Sequence, residues 1–314
     1  MKVLLIDVDS KIPNLALMKL SAWYKSQDHI TGLDVVKPDL IYASIVFSKN
    51  RWKASSIPYL YPNTPLRFGG SGYSLEAKLA PEIEKIKPDY DLYPSTYSQG
   101  FTTRGCDRHC PYCIVPEKEG RLVRWQHPSN FHDDRFDTMM VMDNNWLMDK
   151  EWFLETSQWI LDNDLAILEH GMDIRCLDEE RANRLSELKF RKGIHFAFDF
   201  LALESTVRGK CKILDAYGLL DHSLRFYVYT DSDRDFDSAL KRCNILKELG
   251  VSPFIMFNQA NPKTKRIRRL IHWANRLELF WSCDFEKYLQ SFGEASLSKE
   301  GLCGTFSKVY NGRK

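Results

Sequence analysis

No apolar run in this 314-residue chain approaches the ~20 positions needed to cross a bilayer. The run at the start, within MKVLLIDVDSK, is too short for the core of a secretory signal and meets acids at once. It reads as a first β-strand, and a cytoplasmic protein without membrane contact is expected. An excess of charge is missing too. Lys and Arg number 44 against 42 Asp and Glu, a net +2 that gives no global attraction to nucleic acid or acidic partners. Internal repeats and low-complexity tracts are absent. No cysteine precedes Cys106, and Cys176, Cys211, Cys243, Cys283 and Cys303 stand far apart. That scatter argues against a disulfide framework and leaves these five as small buried hydrophobes.

With 44% hydrophobic and 27% charged residues the composition is that of an ordinary globular protein. Strand-like and helix-like segments alternate along the whole chain, the pattern of an α/β protein with a mostly parallel sheet. VLLIDV, DLIYASIVF and PLRFGGSGY read as strands of a small flavodoxin- or Rossmann-like layer over residues 1–95, with NLALMKLSAWYKSQ and APEIEKI as its helices. From Tyr97 onward SQGFTT, DTMMVMD, LAILEHGMD, GIHFAFDF, LRFYVYT and SPFIMFN read as six strands separated by helices. The helix DEERANRLSELK opens with acids and closes on Lys189, as the helix dipole prefers. Six β/α repeats imply a partial (β/α)6, TIM-like barrel over 96–262, followed by a helical extension over 263–314. In such barrels chemistry sits at the C-terminal ends of the strands.

Directly after the first of those six strands comes FTTRGCDRHCPYCIVPEKEG, with Cys106, Cys110 and Cys113 in eight positions. Three cysteines at C-x3-C-x2-C spacing, with Tyr112 before the last, resemble the signature of the radical S-adenosylmethionine (SAM) superfamily. The flanks, RGC before and VP after, are similar to those of its methylthiotransferase and cobalamin-type members. Thiolates hold 4Fe–4S clusters, ordinarily four to a cluster. The resemblance implies that three are used here, leaving one iron for the amino and carboxylate groups of SAM. Reductive cleavage of SAM then gives a 5′-deoxyadenosyl radical that takes a hydrogen atom from a substrate. A zinc site with His109 as fourth ligand, or a cluster kept only as structure, are the non-enzymatic alternatives.

The remaining strand ends supply candidates for SAM contacts. Asp143, Asn144 and Asn145 stand where family members hold the SAM ammonium, in a form closer to the DDNF pattern of cobalamin-type relatives than to Gly-Gly-Glu. Equally, Asp–Asn runs favour turns. Asp173 and Arg175 alternate with apolar neighbours and are expected to share one strand face; Arg175 suits the SAM carboxylate bidentately, or the two form a structural pair. Asp199, closing the fourth strand, suits the SAM ribose or the substrate, since a core acid is costly to bury unpaired. Asn258 and Gln259 end the sixth strand. Tyr227 and Tyr229 read as packing residues.

PNLALMKLSA, the GG-x-GY turn, RGC…VPEKEG, DNN and G-M-DIR together are similar to a group of bacterial and phage radical SAM proteins, over most of the chain. The resemblance implies a reductant of flavodoxin or ferredoxin type; it does not name a substrate, small or macromolecular. Methylation or methylthiolation of RNA or protein is the alternative reaction, against which stands the absence of any cysteine before Cys106. Cobalamin is not expected. QDHITG has the His29 and Gly32 of a D-x-H-x-x-G site, but Gln27 replaces its Asp and the segment follows a helix. GGSGY reads as a tight turn or a close approach to a ligand. KTKRIRR places five cations at a helix start, against its dipole, a weak pointer to phosphate or RNA. LIHWANRLELFW reads as packing, with Trp273 and Phe280 on one face.

Overall fold

The structure is a computed structural model that describes residues 1–221, 223–258 and 261–295. Gln259 and the segment from residue 296, Cys303 included, lie outside the described residues. The chain is α/β with parallel sheets and divides into two compact units, Met1–Ile194 and His195–Lys314. No helix among the described residues is long and apolar enough to cross a membrane.

The first unit opens with β1 (Lys2–Asp7), α1 (Leu15–Lys25), β2 (Ile30–Gly32), β3 (Leu40–Ser44), α2 (Ile57–Leu60), β4 (Leu66–Gly69) and α3 (Pro81–Glu84). Its four strands are parallel in the order β2-β1-β3-β4. Asn14 starts α1 by accepting the Leu17 N–H, and its amide also donates to Ser44, tying the helix to the end of β3. Val3, Leu5, Leu17, Leu20 and Ile83 fill one side of this sheet, and Ala43, Ile45, Ala54 and Ile57 the other. The expected N-terminal layer is therefore a real sheet with two covered faces. Gly70 (φ +89°) and Gly72 lie against the backbone of Ile45 and Phe47, where a Cβ would collide, so GGSGY is a tight turn.

The same unit continues with β5 (Ser98–Gly100), β6 (Thr103–Arg104), α4 (Val115–Lys118), β7 (Val123–Arg124), β8 (Thr138–Val141), α5 (Lys150–Asp162), β9 (Ala166–Glu169), α6 (Glu179–Glu187) and β10 (Lys189–Phe190). A second parallel sheet runs β10-β9-β8-β5, while β6 and β7 form a small antiparallel ladder. All four residues of β8 are buried, as a strand covered on both faces requires. Two details depart from the sequence reading. The helix capped by Asp178 stops at Glu187, and Lys189 pairs with Ala166 in β10 rather than closing the helix. β9 stops at Glu169, and Gly171 (φ +113°) turns the chain out of the strand before Asp173.

The second unit contains β11 (His195–Ala197), α7 (Glu204–Ala216), β12 (Arg225–Thr230), α8 (Phe236–Glu248), β13 (Ser252–Phe257), α9 (Lys265–Ala274), α10 (Leu277–Ser282) and α11 (Phe285–Ala295). Its strands are parallel, ordered β11-β12-β13. Gly250 (φ +74°) follows Leu249, the C-cap of α8, and is the left-handed stop that its position suggests. Tyr227 stacks on His195, a packing role. The aromatic helix breaks at Asn275, whose amide pairs with both backbone groups of Ile255; Trp273 and Phe280 still meet, with ring centroids 4.9 Å apart. Within KTKRIRR, Arg266 stacks on Phe236 at 3.6 Å and pairs with Asp237 at 2.8 Å, and Lys263 lies over Phe257. Arg266 and Lys263 thus have partners inside the unit.

Candidate metal centre

The cysteine loop is shaped by a glycine and an acid. Gly105, between β6 and Cys106, has φ +77°, and a Cβ there would run into the Arg121 carbonyl. Its N–H donates to Glu119 Oε2 at 3.2 Å, and the Cys106 N–H donates to the Gly120 carbonyl at 3.1 Å. The same Glu119 oxygen accepts from Arg104 Nε and from Asn144 Nδ2, each at 2.9 Å. With a side chain only 9% exposed, Glu119 joins both ends of the loop to the residues after β8.

Inside the loop the Cys113 N–H donates to the Cys110 carbonyl at 3.0 Å, a turn closed over the C-x2-C segment. Backbone N–H groups point at two sulfurs, Arg108 to Cys106 Sγ at 3.4 Å and Val115 to Cys113 Sγ at 3.5 Å. Cys106 and Cys110 are half-buried and Cys113 is exposed. Burial pushes the Cys106 thiol above its ordinary pKa, and negative charge on Cys110 and Cys113 pushes it further. The three thiols are therefore electrostatic neighbours. Among the described residues no three His, Cys, Asp or Glu side chains form a ready metal-holding group. Tyr112 is half-buried, and His109 is exposed.

Asp143, Asn144 and Asn145 have three different tasks. Asp143 is 3% exposed, and its carboxylate accepts from the backbone N–H and the hydroxyl of both Thr102 and Thr103. Burial raises its pKa to about 6 although those four bonds act in the opposite direction. Asn144 is held by Glu119. Asn145 is buried; its Oδ1 accepts the Asp173 N–H at 3.3 Å and its amide donates to Cys176 Sγ at 3.8 Å.

Asp173 and Arg175 do not share a strand face. Asp173 caps a single 3-10 turn, Ile174–Cys176, and its carboxylate binds Arg175 Nε at 2.7 Å and Arg108 Nε at 2.8 Å. Burial acts to raise the Asp173 pKa, but the two guanidinium partners outweigh it and hold the carboxyl below its usual range. The pair brings two cations to the cysteine loop, and Arg175 feels the charge of Cys110. Asp199 belongs to the second unit, where its Oδ1 accepts the Tyr229 N–H at 2.9 Å. Its carbonyl accepts from Arg242, a fully buried guanidinium that also binds the carbonyls of Phe198 and Tyr229 and the Asp235 carboxylate.

Sequence reasoning missed Glu119, Arg108 and Arg242. Only Glu119 carried a local signal, an acid wedged between a short helix and Gly120. His29 stands before β2, at the N-terminal edge of its sheet, beside Tyr24. No known protein-family model and no curated protein matches this chain.

Proposed function

We propose that the protein is a radical SAM enzyme in which Cys106, Cys110 and Cys113 bind one 4Fe–4S cluster. One observation carries the reading: three thiols, of which Cys110 and Cys113 act on Cys106, sit on a single glycine-shaped loop, fastened through Glu119 to Asn144 just past a parallel strand. The donor set suits such a cluster. Backbone N–H groups aimed at two sulfurs and the guanidiniums of Arg108 and Arg175 offset the charge that thiolate ligation accumulates.

When bound, the cluster and SAM supply one chemistry: an electron from a flavodoxin- or ferredoxin-type donor cleaves SAM to methionine and a 5′-deoxyadenosyl radical, which removes a hydrogen atom from the substrate. The chain's own residues bind and orient. Glu119 fixes the amide nitrogen of Asn144, leaving its Oδ1 as acceptor for the SAM ammonium. Asp143 and Asn145 position that segment through Thr102, Thr103 and Asp173 rather than touching the cofactor. Arg175, steered by Asp173, serves the SAM carboxylate with its terminal nitrogens, and Tyr112 flanks the cluster. A partial (β/α)6 barrel is carried as part of this proposal, supported by the alternation of parallel strands and helices within each unit.

The test is anaerobic reconstitution with iron and sulfide, reduction in the presence of SAM, and assay of 5′-deoxyadenosine. About four irons per chain and deoxyadenosine that disappears in the Cys106/Cys110/Cys113→Ala triple variant are expected. A zinc ion in the site, or a cluster that never cleaves SAM, would sink the assignment.

A further inference from the structure

The N-terminal sheet ends in a cavity of about 630 Å³ that the radical reading does not use. In the order β2-β1-β3-β4 the chain leaves β1 to one side for β2 and returns to the other for β3, so a switch point lies between β1 and β3. Loops after those strands diverge there, and ligands bind at such openings beyond the carboxyl ends of parallel strands. The cavity lies at that opening: Ser10 to Pro13 follow β1, Ser44, Val46 and Phe47 end and follow β3, and Gly69 to Ser71 end and follow β4. Phe101, Arg104 and Met142 complete it, the first two five and two positions before Cys106 and the third one before Asp143.

Its lining has two characters. Leu15, Phe68, Leu79 and Phe101 make an apolar wall. Around them stand Lys11, Lys19, Arg67, Lys78, Arg104 and Lys118, against two acids among the lining residues, Glu84 and Glu119. Both acids are committed, Glu84 to Lys19 and Glu119 to Arg104. Arg67 lies over the Tyr42 ring and donates to its hydroxyl. Lys118 is half-buried, forms no ion pair with any described residue and donates one hydrogen bond, to Ser71 Oγ at 2.5 Å. Burial lowers its pKa, Arg104 and Lys78 lower it further, and Glu119 and Glu84 act in the opposite direction without restoring it. A half-buried cation whose two neighbouring carboxylates are paired with other cations is a costly arrangement, and an anionic ligand lowers that cost.

We propose that this cavity binds a small phosphate ester with an apolar or aromatic body, its phosphate held by Lys118 and Lys78 and its body against Phe68 and Phe101. A dianion matches two point-charge ammoniums, whereas a carboxylate prefers the planar fork of arginine, and here Arg104 is already engaged by Glu119. Resting on the radical SAM reading, the position beside Arg104 and Met142 makes this ester the substrate from which hydrogen is abstracted.

Calorimetric titration of the full chain, free of iron and SAM, with octyl phosphate, octanoate, octanol and inorganic phosphate tests the site. Octyl phosphate is expected to bind saturably and at least tenfold more tightly than the other three, and Lys118→Met and the surface variant Lys78→Met each to weaken it about tenfold. Equal affinity for octanol, no saturation, or indifference to both variants would overturn the proposal. The reconstituted protein separates the two readings. Deoxyadenosine formed by a chain that does not bind octyl phosphate leaves the radical assignment standing and removes this one. Binding without SAM cleavage removes the radical assignment and with it the substrate role, while the phosphate-ester site itself stands.

Discussion

Replacing Asp143 by Asn isolates a single buried charge. The carboxyl is almost completely enclosed, and burial lifts its pKa from 3.8 to about 6 despite four donors from Thr102 and Thr103. A raised pKa means that the folded chain binds the proton more tightly than the unfolded chain. Between pH 4 and 6 the native state therefore carries more protons, and stability falls as pH rises. A gap of roughly two units corresponds to about 3 kcal/mol in total, of which about 2 kcal/mol lies between pH 4.5 and 7.5. Asn cannot ionise; it keeps one acceptor oxygen, and its amide nitrogen leaves one of the two backbone N–H donors of Thr102 and Thr103 unanswered, a cost that does not vary with pH. The other titrating groups are common to both proteins and cancel in the difference. Urea unfolding of the two proteins, followed by circular dichroism across this pH range, should show the wild-type advantage shrinking by about 2 kcal/mol as pH rises. A difference that stays flat, or grows with pH, would refute the reasoning: the four hydrogen bonds would then outweigh burial.

Glu119→Gln keeps the shape of the loop anchor but loses its charge, with Arg104, Gly105 and Asn144 left to share a neutral acceptor. We expect a loss of about 2 kcal/mol and at least a halving of iron incorporated on reconstitution; unchanged iron would remove the anchoring role. Gly105→Ala must adopt φ +77° and push against the Arg121 carbonyl. It should cost about 2–4 kcal/mol and abolish cluster incorporation, so a variant that loads iron normally contradicts the loop geometry. Arg242→Lys, in the second unit, cannot span three carbonyls and Asp235 together; a drop of about 3 kcal/mol in its denaturant-derived stability is expected. Asn144→Ala should weaken SAM binding to the reconstituted protein about tenfold while leaving iron content near the parent value, and equal SAM affinity would remove Asn144 from the site.

What the sequence by itself determined is local. The period of its apolar residues marked nearly every long strand and helix, because pleat and helical turn place near neighbours on one face. Gly250 announced the end of α8 for the same reason, as did the spacing that put three cysteines on one loop. Neighbour patterns also misled. Asp173 and Arg175 alternate as strand residues do, but Gly171 ends β9 first, and the two bind each other and Arg108. β10, two residues long, was too short to show a period. The tertiary structure decided which acids are free to do chemistry. Asp143 looked like a cofactor ligand and is occupied by donors 40 and 41 positions away, while unremarkable Glu119 gathers a loop, a strand end and an arginine. A carboxylate's function depends on which donors reach it and how much water remains, and both are set by distant segments folding onto it. The cavity obeys the same rule: its lysines are scattered from 11 to 118 in the chain, on α1, on α4 and on the segments after β1 and β4, and only the fold brings them around one opening.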